Sequence, residues 1–365
     1  MAKPKKETLP EPGGKLDLVK EINLPSPVLG VDSTADGQTI FAACLDGGVY
    51  KVDAASGQAE QLLSHQSCSS GVWFLHKSNV LLSAGYDGFL KWYDLGKKQI
   101  VRELQAHKFW SWQMAVSPDE KLVASVTGQY LAGGYKYEPA AEQEPSIKVY
   151  DTKTGHAVAS FPHLPPVLSV AFSPDNRYLA AANMMGEIRV YDLDAKKQAG
   201  VSTTADFTSW GIIKSHHYIG GIFALLFTPD GKEIIAAGMG PMNDPMAGNG
   251  KQKWQRFAWR ENRKVSEIND SDRGNGLMET LAFHASDRCF LMAGRLAQGT
   301  WNIGFFDAES GKLLHSADTK IRVTDAVFAN GGSQLILAGA IGQQKKKDNK
   351  APDAGRLKLY KCAVA

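Results

Sequence analysis

Residues 169–197, SVAFSPDNRYLAAANMMGEIRVYDLDAKK, restrict the possible folds more than any other stretch of this chain. Residues 170–172 form a short apolar run, and Ser173-Pro174-Asp175-Asn176 follows it. Pro presets the backbone angle at the second position of a turn, and Asp and Asn side chains fold back onto nearby amides. A second apolar run spans 178–182, and Met185-Gly186-Glu187 turns the chain again. Ile188-Arg189-Val190-Tyr191 then alternates apolar and polar residues, as a half-buried strand does. The polar stretch 192–197 leads into a weaker fourth run.

The same grammar recurs along the chain. A first copy, VLGVDSTADGQTIFAACLDGGVYKVD, spans 28–53, and a second, SGVWFLHKSNVLLSAGYDGFLKWYD, spans 70–94. The third runs from Trp112 to Asp151, and the fourth is the segment above. The fifth runs from Phe223 to Trp259, the sixth from Glu279 to Asp307 and the seventh from Thr324 to Lys361. Unpadded copies recur about every 41 residues, the blade period of a four-stranded propeller. Copies three, five and seven are longer because each carries an insertion at one equivalent place.

These residues resemble the WD-repeat β-propeller family. Tyr93-Asp94, Tyr150-Asp151, Tyr191-Asp192 and Phe306-Asp307 stand where that family has Trp-Asp, and its turn Asp appears at Asp46 and Asp87. In the second copy His65, Ser83, Asp87 and Tyr93 match the family's hydrogen-bonded His, Ser/Thr, Asp and Trp. Elsewhere the copies diverge: the first ends Val52-Asp53, the fifth Ala258-Trp259 and the seventh Tyr360-Lys361. The resemblance implies an all-β, seven-bladed propeller of four-stranded antiparallel blades over residues 15–365, behind a flexible tail at 1–14. The compact repeats give the chain a bacterial look. The family closes its ring by letting one terminus complete the blade begun by the other. The last copy stops at its third strand, so the strand-like run from Leu16 to Leu24 is the candidate outer strand. Closure removes a long unpaired edge.

Composition narrows the class of function. The formal net charge of +3 is too small for whole-molecule attraction to nucleic acid. No apolar run nears the ~20 residues of a membrane-spanning helix. The tail MAKPKKETLPEPGG has no apolar core of a secretory signal. Cys44, Cys68, Cys289 and Cys362 show no C-x-x-C spacing, which suits buried thiols in a reducing cytoplasm.

The insertions carry the functional expectation. They run at 128–145, 238–253 and 339–355, and the connection 201–221 is also long. In a propeller all four share one rim, and loops on a rigid scaffold commonly carry recognition. Tyr130, Tyr135, Tyr137, Trp110, Trp210 and Trp254 are the candidate anchors for a protein or peptide, with Lys345, Lys346 and Lys347 as a basic flank. Trp112 and Phe207 lie beside the same rim, and Trp112 also begins a strand, which suits the core equally. No H-x-x-x-H, G-x-S-x-G or Walker motif is present, so no catalytic, cofactor or metal residue is assigned. The expectation is a monomeric, cytoplasmic, non-catalytic interaction scaffold. The rival is an enzyme or small-ligand or metal binder of lactonase-like design. It would use the channel mouth, with His107, Asp206, His216, His217 and Asp272 as candidates. RNA association through Lys345, Lys346 and Lys347 is a third reading.

Overall fold

The computed structural model describes residues 16–128, 142–210, 218–240, 250–269, 274–342 and 353–362, with the backbone alone at 209, 210, 218 and 219. The tail at 1–14, Tyr130, Tyr135, Tyr137, His216, His217, Asp272, Lys345, Lys346 and Lys347 lie outside the described residues. The described strands form seven antiparallel sheets arranged as a seven-bladed β-propeller. Blade 1 shows the plan: Val28–Ser33 innermost, then Thr39–Cys44, Gly48–Asp53 and Ala59–Ser64 outermost. The turns fall where the sequence places Asp, Asn and Gly. Asp36, Asp119, Asp175 and Asp230 each accept a bond from the backbone N–H two residues on.

The ring closes as expected. Leu16–Leu24 pairs antiparallel with Gly355–Cys362, from Leu16 opposite Cys362 to Leu24 opposite Gly355. It thereby becomes the outer strand of blade 7, beside Gln334–Ala340 and Arg322–Ala329. Ile22 and Leu24 are buried in the seam between blades 7 and 1, with Val28, Val31, Ile336 and Leu357. One such apolar cluster fills each of the seven seams among the described residues.

The connection between blades 4 and 5 departs from the plan. Thr208–Trp210 pairs with the start of Tyr218–Phe227, adding a short hairpin that makes blade 5 a five-stranded sheet.

The innermost strand of every blade carries a register shift at the same place. The residues displaced from the ladder are Leu29, Ser70, Trp112, Leu168, Phe223, Glu279 and Thr324. Such a bulge bends the strand and re-aims one side chain. It lies near the end where the chain enters from the preceding blade, which is also the face of the insertions. That face is called the loop face below.

Inner strands expose an unpaired edge to the channel. Side chains of the preceding blade satisfy part of it. Asp325 accepts from Val31 N–H at 2.9 Å, Asp32 from Phe74 N–H at 2.7 Å and Gln113 from Val170 N–H at 2.8 Å. The hydroxyls of Ser70, Ser169 and Thr324 donate to the carbonyls of Ser111, Ile222 and Val28. Each of these bonds runs from one blade to the next, so the channel wall is stitched in one direction around the ring.

The closing strand sets a stability test. Leu24 is fully buried, whereas Val19 is 69% exposed at a bulge. Leu24→Ala is expected to cost about 2–5 kcal/mol in denaturant unfolding, and Val19→Ala to stay within about 0.5 kcal/mol of the parent. Equal effects would contradict this seating of the strand.

Candidate functional site: the loop-face mouth of the channel

The mouth is built around a turn in blade 2. Val80–Gly85 and Phe89–Asp94 are joined by Tyr86-Asp87-Gly88. Gly88 has φ +82°, and a Cβ there would meet the His107 carbonyl at 2.2 Å and that of Phe109 at 2.8 Å. Only glycine lets the turn press against the connection to blade 3. Ala106 and His107 N–H groups both bond to the Gly88 carbonyl, locking the two segments together.

That contact brings four aromatic rings into one slab. Tyr86 stacks on Trp110 with centroids 4.9 Å apart and planes 15° apart, and on Trp112 at 5.4 Å and 14°. Phe109 stacks on Trp110 at 4.7 Å. Trp112 is the bulge residue of blade 3, and Gly128 lies under its ring, where a Cβ would come within 2.8 Å. Trp110 is 38% exposed, a large apolar surface left in solvent.

Across the mouth stands an ion pair. Arg322 donates Nε to Glu279 Oε1 at 2.7 Å and Nη2 to Oε2 at 2.6 Å. Burial raises the Glu279 pKa, against the pull of Arg322 and Arg295. The Tyr86 hydroxyl is pushed up to about 12, mainly by burial, with Cys68 and Glu279 adding to the rise and Arg322 opposing it. Slab and ion pair therefore share one electrostatic environment.

Below the mouth, the channel encloses a cavity of ≈ 440 Å³ lined by the inner strands of all seven blades. Its walls mix apolar side chains with Asp32, Gln113, Glu279 and Asp325 and with the hydroxyl residues Ser70, Thr280 and Thr324. Burial pushes the Asp32 carboxyl up to about 7, helped by repulsion from Asp325 and Glu120. Burial pushes Asp325 to about 6. Trp73, 37% exposed, lines the cavity near its other end.

The remaining candidates are placed differently. His65 Nδ1 lies 3.0 Å from Asp87 Oδ1 and donates to the carboxylate, while Nε2 is 2.9 Å from Ser83 Oγ. Asp87 also accepts from Gln66 and Phe89 N–H. Tyr93 instead packs in the seam with blade 1, against Phe41, Val49 and Leu81. Trp254, expected at the rim, is fully buried between blades 5 and 6, packed edge-on to Phe290 and Phe306. The expectation fails because its strand, Gln252–Ala258, turns that side chain into the seam. Phe207 is likewise fully buried.

Of the channel candidates, His107 is buried beneath the loop face, and its pKa is lowered to about 4 by burial and by Lys148. Glu144 stands 3.9 Å from its Nδ1, too far to copy the blade 2 arrangement. Asp206 sits in the seam of blades 4 and 5, bonded to Gln255 and flanked by Lys253 and Lys264. Neither His107 nor Asp206 lines the channel cavity. The carboxylates that do line it are Asp32, Glu279 and Asp325; Asp32 and Asp325 are polar interruptions within the inner strands VLGVDS and RVTDAVFA. That interruption is the signal by which they can be found in a sequence. Among the described residues, no three His, Cys, Asp or Glu side chains converge as a metal site.

Comparison with known proteins agrees with this architecture. Residues 154–192 match the family model described as WD domain, G-beta repeat. Telomerase protein component 1 of Rattus norvegicus is 23% identical over 297 residues, covering 80% of this chain and 10% of that protein. The Mus musculus protein of the same name is 24% identical over 293 residues, with the same coverage. COMPASS component SWD3 of Saccharomyces cerevisiae is 23% identical over 166 residues, 43% of this chain and 48% of that one. The chain spans about a tenth of the length of the first two and about half of the third. Fold and matches together support a WD-repeat β-propeller.

The buried carboxylates give a pH dependence with a definite sign. Their folded pKa values lie above the ordinary 3.8, so the folded state holds protons that the unfolded chain releases. This contribution is complete below about pH 4 and is lost as pH rises through about 6 to 7. Asp32→Asn keeps an acceptor for Phe74 N–H and removes the charge. It should flatten the fall in stability between about pH 5 and 8 by roughly 1–3 kcal/mol. An unaltered urea-midpoint profile would contradict the assignment. Asp87→Ala, which orphans His65, should cost roughly 1–3 kcal/mol, read as a lowered melting midpoint.

Proposed function

We propose that this chain is a non-catalytic protein-interaction scaffold that captures a protein or peptide on its loop face. The observation that carries the reading is the four-ring slab at the channel mouth, with Trp110 left 38% exposed. A folded chain gains by burying such a surface, and exposed aromatic rings held rigid by stacking lose little freedom on binding. Trp and Tyr are also the residues that most often dominate interface energies. The seven-bladed ring supplies the rigidity: Trp112 sits on the paired inner strand of blade 3, and the blade 2 turn bearing Tyr86 is bonded through Gly88 to the connection that bears Phe109 and Trp110.

The anchors are Trp110, Tyr86 and Trp112, with Phe109 stacked on Trp110. Tyr130, Tyr135, Tyr137 and Trp210, with Lys345, Lys346 and Lys347, extend this surface on the sequence argument that their segments share the rim. The three relatives named above carry the word component in their names, telomerase protein component 1 in rat and mouse and COMPASS component SWD3 in yeast. Membership of a larger assembly suits a scaffold. The same reading places the chain in the cytoplasm as a monomer; four cysteines without C-x-x-C spacing suit a reducing compartment. The bacterial look rests on the compact repeats alone, since the relatives named above are from rat, mouse and yeast.

Affinity capture from native cells tests the proposal. Trp110→Ala and Tyr86→Ala should each weaken retention of the captured partner by about 2 kcal/mol, roughly 30-fold, with the melting curve unchanged for Trp110→Ala. Partner retention indifferent to both variants would exclude the loop-face mouth as the docking surface.

A further inference from the structure

The charges around the slab define a ligand more narrowly than the slab does. Stacked rings accept any flat or apolar side chain, and their faces also attract cations. The carboxylate across the mouth, Glu279, already binds both Nε and Nη2 of Arg322. Its side chain is 11% exposed, whereas that of Arg322 is 51% exposed with Nη1 outside the pair. Arg295, exposed on the neighbouring blade 6 turn, adds a second positive charge that reaches Glu279. Among the described residues, Arg322 and Arg295 outnumber Glu279 at the rim beside the slab, while Asp32 and Asp325 lie deeper, on the inner strands of the cavity. A Lys or Arg arriving here meets two like charges and a carboxylate with a bidentate partner. An Asp or Glu meets a half-exposed guanidinium already fixed in position, the geometry that favours planar carboxylate recognition.

We infer that the mouth takes an acidic peptide segment, one that lays an aromatic or aliphatic side chain on Trp110 and sets a neighbouring Asp or Glu against Arg322 and Arg295. This rests on the loop-face reading above and narrows it to one partner chemistry. The ≈ 440 Å³ cavity beneath the slab has room for a side chain but not for a folded domain, so a domain would have to dock at the mouth alone.

Fluorescence anisotropy with the intact chain tests this. The probe is a short labelled peptide with one Phe flanked by glutamates. Its controls replace Phe by Ala, or the glutamates by lysines. The glutamate–Phe peptide should bind at least about tenfold more tightly than either control and weaken with added salt. Trp110→Ala and Arg295→Glu, both at exposed positions, should each weaken it at least about fivefold while the melting curve stays unchanged. Tighter binding by the lysine peptide, still dependent on Trp110, overturns the acidic chemistry and leaves the loop-face reading standing. Binding that responds to Trp73→Ala at the opposite end, but not to Trp110→Ala, overturns both. Absence of glutamate–Phe binding at about 1 mM peptide, weaker than about −4 kcal/mol, also overturns the inference.

Discussion

The antiparallel pairing of Leu16–Leu24 with Gly355–Cys362 is the contact on which the rest of the architecture depends. Without it, blade 7 ends in an unpaired outer edge, and the seam against blade 1 loses Ile22 and Leu24. A propeller blade cannot bury both of its faces alone; each relies on its two neighbours. Joining the first strand to the last blade makes every blade an interior one. The inner bonds complement this outer clasp. Asp325 to Val31, Asp32 to Phe74 and Gln113 to Val170 each tie one blade's inner strand to the next, and the first of them crosses the closing seam.

A rigid ring makes a rigid rim, and that links the fold to its proposed use. Trp112 reaches the mouth because it is the bulge residue of its strand, and Trp110 is held by stacking on Tyr86 and Phe109. Tyr86 in turn depends on the close approach that Gly88 permits. The aromatic surface is thus fixed before any partner arrives, and binding need not order it. The same bulge in blade 6 presents Glu279, which holds Arg322 across from the rings. One backbone device, repeated around the ring, therefore supplies both the apolar and the charged parts of the mouth.

Much of the fold was legible in the sequence because its signals are local. Pro, Asp, Asn and Gly mark the turns, and alternating runs such as EIRVYD mark half-buried strands. The closing strand was legible by subtraction, since the seventh copy lacks a fourth strand while Leu16–Leu24 has no blade of its own. The seven inner bulges were not legible. Their displaced residues include Leu29, Ser70, Trp112 and Glu279, which share no chemistry, so position in the sheet and not residue type defines them. The site was legible in part for the same reason. Trp110 and Trp254 both adjoin rim segments, but one lies on a connection and is exposed, while the other lies on a strand that faces a seam and is fully buried. Burial of a strand residue depends on which neighbouring blade it faces, and a single sequence does not carry that. The hairpin at Thr208–Trp210 is not legible because its partner strand is an extension of the blade 5 inner strand, and Gly211 and Ser215 between them do not single out a turn from a long connection.

Hydrogen exchange tests the closure most directly. In a chain lacking the strand Leu16–Leu24, the account predicts that amide protection falls in all seven sheets together, because an opened ring loses its shared stability. Loss confined to Gly355–Cys362 and its blade, with the other six sheets protected as before, would show that the blades stand without the clasp and would contradict the account.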